Sequence, residues 1–224
     1  MAYKITSTLN FPVDPKFWQD WFAQDVNRSS AWILSAHDLL EHIRSMADAL
    51  RVFWIDFHAN ISSSRLAPPR GLHRVYLFLS AIAIENLLKA VIVEHAKWPD
   101  SDVSRKIPVE LISHDLLDLA TVAGITLKTN DIELLERLTQ FGIWLGRYPA
   151  PTKLDHLKPK KLKSGIVNLA GYMHGSDLRE VEDLVNKLID MLQGVQGIEH
   201  LVRFPSRAAE AFEGVSISPN VRAW

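Results

Sequence analysis

The stretch that most constrains this chain is Leu77 to Ala96, LFLSAIAIENLLKAVIVEHA. It reads as a helix that is apolar almost all round, with Glu85, Asn86 and Lys89 set into its middle. A helix apolar on every side is a central one, with other elements packed on it. Its polar residues then need partners, because burying an unpaired charge is costly. The most strongly apolar run, Val75 to Ile84, is about half of the roughly 20 residues a membrane span needs. Beyond Ile84 the polar residues Glu85, Asn86 and Lys89 interrupt it. A core helix, with no membrane association, is the expectation.

The rest of the chain reads as helices around this one. Asp14 before Pro15 is a helix start, since proline is tolerated at the first helical position. The short helix after it, to about Val26, carries Phe17, Trp18, Trp21 and Phe22 at three- and four-residue spacing. That stripe is either a packing face or an exposed face for a partner. Ser29 or Ser30 can cap a long helix to about His58, with apolar residues from Ile33 to Phe57 at a helical period. At about 28 residues it would span about 42 Å. A loop of small residues and prolines, Asn60 to Pro69, leads to the central helix, about Gly71 to Lys97, which Trp98-Pro99 ends.

Ser113 can cap a short helix from His114 to Val122. Asn130 or Asp131 can cap another, from Ile132 to Leu145, closed by Gly146. Residues 147–175 look irregular. Asp177 to Leu192 is a last amphipathic helix, and the tail beyond Gly194 reads as irregular chain along the surface. The pattern predicts an all-α bundle with two long central antiparallel helices and an extended N-terminal arm. The expected divisions are 1–28 for the arm and aromatic helix, 29–194 for the bundle and 195–224 for the tail.

Composition narrows function mainly by exclusion. The chain has 224 residues and a formal net charge of −1, so it is not a globally basic nucleic-acid binder, though a local patch remains open. It has no cysteine, hence no disulfide, thiolate nucleophile or zinc-thiolate site. The N-terminus lacks the charged head and apolar run of a signal peptide, and a cytoplasmic protein is expected. No phosphate-cradling glycine loop is present, and no cofactor is expected.

Four groups of residues carry candidate chemistry. Glu85 and Lys89, four apart on one face, are either a structural ion pair or the lining of a polar cleft. In such a cleft Glu85 would hold an arginine or histidine, and Lys89 a phosphate or carboxylate. His114, at the expected start of a short helix, would be kept neutral by the positive helix end, as a general base must be. Arg147, Lys153, His156, Lys158, Lys160, Lys161 and Lys163 form the one strongly basic segment, and Tyr148 within it can stack on a base. Arg147 follows Gly146, so its fork can reach a carboxylate such as Glu85, or a phosphate. The polar group His37, Asp38, Glu41 and His42 reads as a solvated stripe rather than a metal site, because no second helix offers a matching ligand pair.

The order of AWILSAHDLLEHI, then AIENLLKAV, then SHDLLDLA after a variable loop, then GRYPAP, resembles the HEPN superfamily of small α-helical bundles. These pieces span about residues 31–150. The resemblance implies a HEPN-like bundle that often dimerises, found in bacterial toxin–antitoxin, phage-defence and RNA-processing systems. Some members bind RNA, nucleotides or proteins. Catalytic members are metal-independent ribonucleases with an arginine followed four to six residues later by a histidine. Here Arg147 to His156 and Arg105 to His114 have eight intervening residues, and only Arg51 to His58 fits, with six. On that pattern His58 would act as base and Arg51 would stabilise charge on phosphorus. The resemblance thus implies an RNA- or nucleotide-associated module, noncatalytic or weakly catalytic. A ribonuclease using an Arg–His pair and a protein-interaction module are the alternatives.

Overall fold

The computed structural model describes residues 14–60, 70–99, 106–148, 151, 153–156, 158–161, 167–168, 171, 173–214 and 216–217. The expected extended arm before Asp14, the loop 61–69, Arg105, Lys163 and the tail after 217 lie outside these residues.

The described chain is all-α: α1 (Pro15–Asn27), α2 (Ser29–Ala59), α3 (Arg70–Ala96), α4 (Leu116–Val122), α5 (Thr129–Gln140) and α6 (Asp177–Met191). Two antiparallel pairings of two residues each, Lys160–Lys161 with Val167–Asn168 and Met173–His174 with Ser216–Ile217, are its only strands among the described residues. α2 and α3 run antiparallel along each other. The Ser29 hydroxyl at the start of α2 donates to Glu94 near the end of α3 (2.7 Å), while Trp54 near the end of α2 meets His73 near the start of α3 edge-on.

α3 is the central element. Gly71–Ala96 has the length and composition of a membrane span, and 67% of its most apolar window is buried inside the bundle. Tyr76, Ile84, Leu87 and Ala90 are fully covered. The helix ends where Lys97 adopts a left-handed backbone (φ 46°), two residues before Pro99.

Helix boundaries follow local chemistry and shift in places from the sequence reading, α5 for instance beginning at Thr129 rather than Ile132. Asp14 accepts from the Lys16 amide (2.9 Å) and caps α1, as expected. α2 begins at Ser29 itself, preceded by Arg28. α4 begins two residues late because Asp115, not Ser113, is the cap: its carboxylate accepts from the Leu117 (2.9 Å) and Asp118 (3.3 Å) amides. His114 therefore lies outside the helix. α5 passes into a π-helical turn, Phe141–Leu145, before Gly146. Gly146 is required there: a Cβ would lie within 2.5 Å of the Phe78 side chain.

Two further expectations change. The aromatics of α1 are not its packing face. Phe17, Trp18, Trp21 and Phe22 are 37–44% exposed, and the small side chains of Ala23 and Val26 face the core instead. The chain after Gly194 is not a surface tail in its described part. Leu201, Phe204 and Phe212 join the same core as α2, α3 and α6. Asn186 grips the Phe204 backbone from both sides (2.8 and 3.0 Å), so the expected boundary at residue 195 has no counterpart in the packing.

Two buried ion pairs lock α6 to its neighbours. Arg51 of α2 gives Nη2 to both oxygens of Glu182 (2.6 Å each), with Glu210 at 3.4 Å. Arg137 of α5 gives Nη2 to Asp177 (2.5 Å) and Glu180 (3.3 Å). The other Asp177 oxygen accepts the His174 amide (2.8 Å) and lies 3.4 Å from His73 Nε2. Burial pushes the Asp177 carboxyl up, but Arg137 and His73 outweigh it and hold it at about 2. At Glu182 the balance is reversed: burial dominates, and its carboxyl is raised despite Arg51.

Candidate functional site

The site is built on one face of α3. Glu85 Oε1 accepts from Lys89 Nζ (2.7 Å), one turn further on, in the favourable order of carboxylate before amine. The same oxygen lies 3.0 Å from His114 Nδ1. Lys89 is almost fully buried, and its ammonium sits 5.4 Å from the centre of the Trp32 ring on α2, where the ring face favours a cation. Glu85 is largely covered, whereas the His114 side chain is 68% exposed.

His114 is placed by the turn before α4. The Ser113 hydroxyl accepts from the Asp115 amide (3.1 Å), and the Leu116 amide donates to Thr139 of α5 (3.1 Å). The imidazole is thereby laid across α3 from outside. A carboxylate accepts hydrogen bonds, so a neutral His114 carries its proton on Nδ1 and turns its Nε2 lone pair away from Glu85. This is the geometry in which a carboxylate orients a histidine for work at its other nitrogen. His114 immediately precedes the Asp115 cap of α4, so it lies just outside the helix and its ring meets this carboxylate.

The sequence candidates divide into those the fold gathers and those it separates. Glu85, Lys89 and His114 meet. Arg51 and His58 do not form a working pair: Arg51 is buried in its bond to Glu182, while His58 is exposed further along α2. The structure thus corrects the Arg51–His58 reading, since Arg51 has no free guanidinium to offer. Arg147 does not reach Glu85 either. Its guanidinium lies 5.3 Å from the centre of the Tyr148 ring, and both side chains are exposed. His156 is not free in solvent: its ring stacks on Trp144, with centroids 6.5 Å apart.

In the basic segment, Lys153, Lys158 and Lys161 are exposed, and Lys158 pairs with Asp155 (2.6 Å). Lys160 and Lys161 form the first strand of the small ladder. His37 lies beside Asp38 (3.4 Å) and Glu41 (3.7 Å). Among the described residues no three His, Asp or Glu side chains group as metal ligands would.

Sequence reasoning missed Arg74. Its Nη2 donates to the Tyr148 carbonyl (2.8 Å) and ties the start of α3 to the Arg147–Tyr148 segment. The signal was available: Arg74, Phe78, Ala81 and Glu85 are spaced four, three and four, one stripe of a helix. The buried partners Asp177 and Glu182 left no such signal. Their positions flank an apolar stripe where solvated acids are common.

Compared with family models, with curated proteins and with solved structures, the chain matches none.

Proposed function

We propose that this chain is a cytoplasmic, RNA- or nucleotide-associated module of the HEPN-like kind. It would work as a homodimer in a bacterial defence or toxin–antitoxin setting and bind rather than rapidly cleave. The observation that carries the reading is His114, exposed and held at Nδ1 by the largely buried Glu85–Lys89 pair. An ion pair with a purely structural role has no need of a solvent-facing imidazole on its carboxylate. Such a ring can donate to or accept from a phosphate, a ribose hydroxyl or a base edge. The exposed Arg147, Tyr148, Lys153, Lys158 and Lys161 supply charge for a phosphate backbone and a ring for a base.

Binding is favoured over cleavage by the arginines. Phosphodiester cleavage needs a cation beside the reacting phosphorus. Arg51 is locked to Glu182, and Arg147 rests on Tyr148 rather than beside His114.

The test is fluorescence anisotropy with labelled single-stranded RNA in EDTA across a salt series. The logarithm of the affinity should fall linearly with log salt, by about 0.7 per phosphate contacted. A salt-independent affinity, or no binding at low salt, overturns the reading. Cleavage in EDTA that disappears in His114→Ala would replace it with the ribonuclease reading. A protein partner is a second reading, favoured by the exposed Phe17, Trp21 and Phe22 of α1. It requires the tryptophan emission to shift when the partner is added.

A further inference from the structure

We propose that the aromatic face of α1 is a self-association surface, on which α1 pairs antiparallel with α1 of a second copy of this chain. The pairing supplies a contact for the homodimer proposed above, on grounds found in α1 alone, and is independent of RNA. α1 is docked on the bundle at one end only. Its Val26 carbonyl accepts from Trp32 Nε1 (3.1 Å), and Asn27 donates to the Trp98 carbonyl (2.5 Å). Ala23 and Val26 are its buried residues, and from Pro15 to Phe22 no side chain is buried. A helix of 13 residues is marginal in water by itself, and helices in proteins are held mainly by the packing of an apolar face. The apolar face here, Phe17, Trp18, Trp21 and Phe22, is centred on the side of α1 opposite Ala23.

The pattern of that face selects a second copy as its cover. A two-fold contact needs a patch that is complementary to itself. Phe17-Trp18-Gln19-Asp20-Trp21-Phe22 places its aromatics identically from either end. With the axis between Gln19 and Asp20, Phe17 meets Phe22 of the second copy and Trp18 meets its Trp21. The rings already offer both faces and edges: Phe17 stands edge-on to Trp18 (5.2 Å), and Trp18 stacks on Trp21 (5.2 Å, 26°). Charge favours the same direction. Asp25 shares the aromatic face, and antiparallel pairing lays it over the start of the other α1. The first turn there holds no acid, and its free amides favour an anion. Asp14 at that end is turned onto its own helix, accepting from the Lys16 amide. A parallel pairing would set Asp25 beside Asp25. With two aspartates and one lysine, α1 is poorly matched to an anionic lipid surface or to phosphates.

The area sets the strength. The four aromatics are 37–44% exposed. That leaves roughly 60–100 Å² on each, so covering them removes about 500–800 Å² over both copies. A stable complex of standard size buries about 1,200–2,000 Å². The dimer is therefore weak, with a dissociation constant of about 10–100 µM, and solutions at about 1 µM hold monomer.

The experiment is sedimentation equilibrium of the full chain from about 5 to 300 µM, where the parent should pass from monomer to dimer. Trp21→Ser should raise the dissociation constant at least about tenfold while leaving the melting temperature of the monomer unchanged. Direction is read by cross-linking. The chain has no cysteine, so Phe17→Cys and Phe22→Cys each carry a single thiol. A bis-maleimide spanning about 8 Å, the separation of packed helices, should join the two variants when they are mixed and join neither to itself. A dimer whose dissociation constant is unchanged in Trp21→Ser overturns the pairing and leaves the homodimer reading intact. So does Phe17→Cys that cross-links to itself as readily as to Phe22→Cys. A chain that stays monomeric at about 300 µM overturns both. If tryptophan emission in that monomer is blue-shifted and Trp21→Ser removes the shift, the cover is the chain's own residues. If the shift comes only with phosphatidylcholine vesicles, the cover is lipid.

Discussion

An inner and an outer cluster of this molecule each combine a carboxylate, a cation and a histidine, and they differ in one respect. At the inner one, Asp177 is fully buried and both of its oxygens are engaged, by Arg137, the His174 amide and the neighbouring His73. At the outer one, Lys89 and His114 both converge on a single oxygen of Glu85, and the imidazole projects into solvent. The inner cluster is closed and its chemistry is spent on joining α3, α5 and α6. The outer cluster is half-closed: the buried pair fixes a group that remains available. Like combinations of charge thus become structural or functional according to whether any polar atom is left facing water.

This contrast orders what substitutions should do. The largest loss of stability belongs to the inner cluster and its companion. Arg137→Met or Arg51→Met leaves a buried carboxylate unpaired and should lower unfolding free energy by about 3–5 kcal/mol in urea melts. Arg51→Met with Glu182→Leu should lose markedly less than Arg51→Met alone, because no orphaned charge remains. Equal losses would break the assignment of Arg51 to Glu182.

Acid is the next lever. The folded Asp177 carboxyl is held at about 2, below the ordinary value of 3.8. A depressed carboxyl contributes stability that is present above the unfolded value and is lost as pH falls through the folded one. The wild type should therefore lose about 2 kcal/mol from this group between about pH 4 and pH 2. Asp177→Asn, weaker at neutral pH, should lack that increment. Glu180 and Glu182 are both raised by burial, so protonating them acts in the opposite direction. The comparison with Asp177→Asn isolates the one carboxyl.

Smaller effects belong to the outer cluster. Glu85→Gln leaves Lys89 buried without its carboxylate and should cost about 1–3 kcal/mol. His114→Ala should change stability by less than about 0.5 kcal/mol, since the ring is mostly in water. Phe17→Ser and Trp21→Ser should also stay within about 0.5 kcal/mol, because neither aromatic is part of the core. A larger loss there would mean that the α1 aromatics are covered in solution.

Much of the fold was legible in the sequence because it rests on periodicity and punctuation. The all-round apolar stretch of α3, the long repeat of α2 and the stripe of α6 marked three helices nearly to the residue. The misreadings have particular causes. Ser113 and Asp115 are both capping residue types two positions apart, and only the backbone path decides between them. That path puts His114 outside a helix and onto Glu85. The aromatics of α1 outnumber its small apolar residues, yet Ala23 and Val26 are the ones that let the helix approach the core. Phe204 and Phe212 lie in a stretch with no regular apolar spacing, so no period reveals their burial.

Of the site, the Glu85–Lys89 pair was visible as an i, i+4 spacing within an apolar helix. Its meeting with His114 crosses 29 positions and depends on how α4 packs. Arg51–Glu182 crosses 131 and Arg137–Asp177 crosses 40. Contacts at such separations leave no mark in a single sequence.

The most direct test of the account measures binding and stability together in His114→Ala. Anisotropy with single-stranded RNA is set beside a urea melt of the same preparation. Stability should be unchanged and the affinity reduced about tenfold, the loss of one hydrogen bond to a charged group. Undiminished RNA affinity in a fully folded His114→Ala would contradict it and leave the Glu85–Lys89–His114 cluster as surface structure.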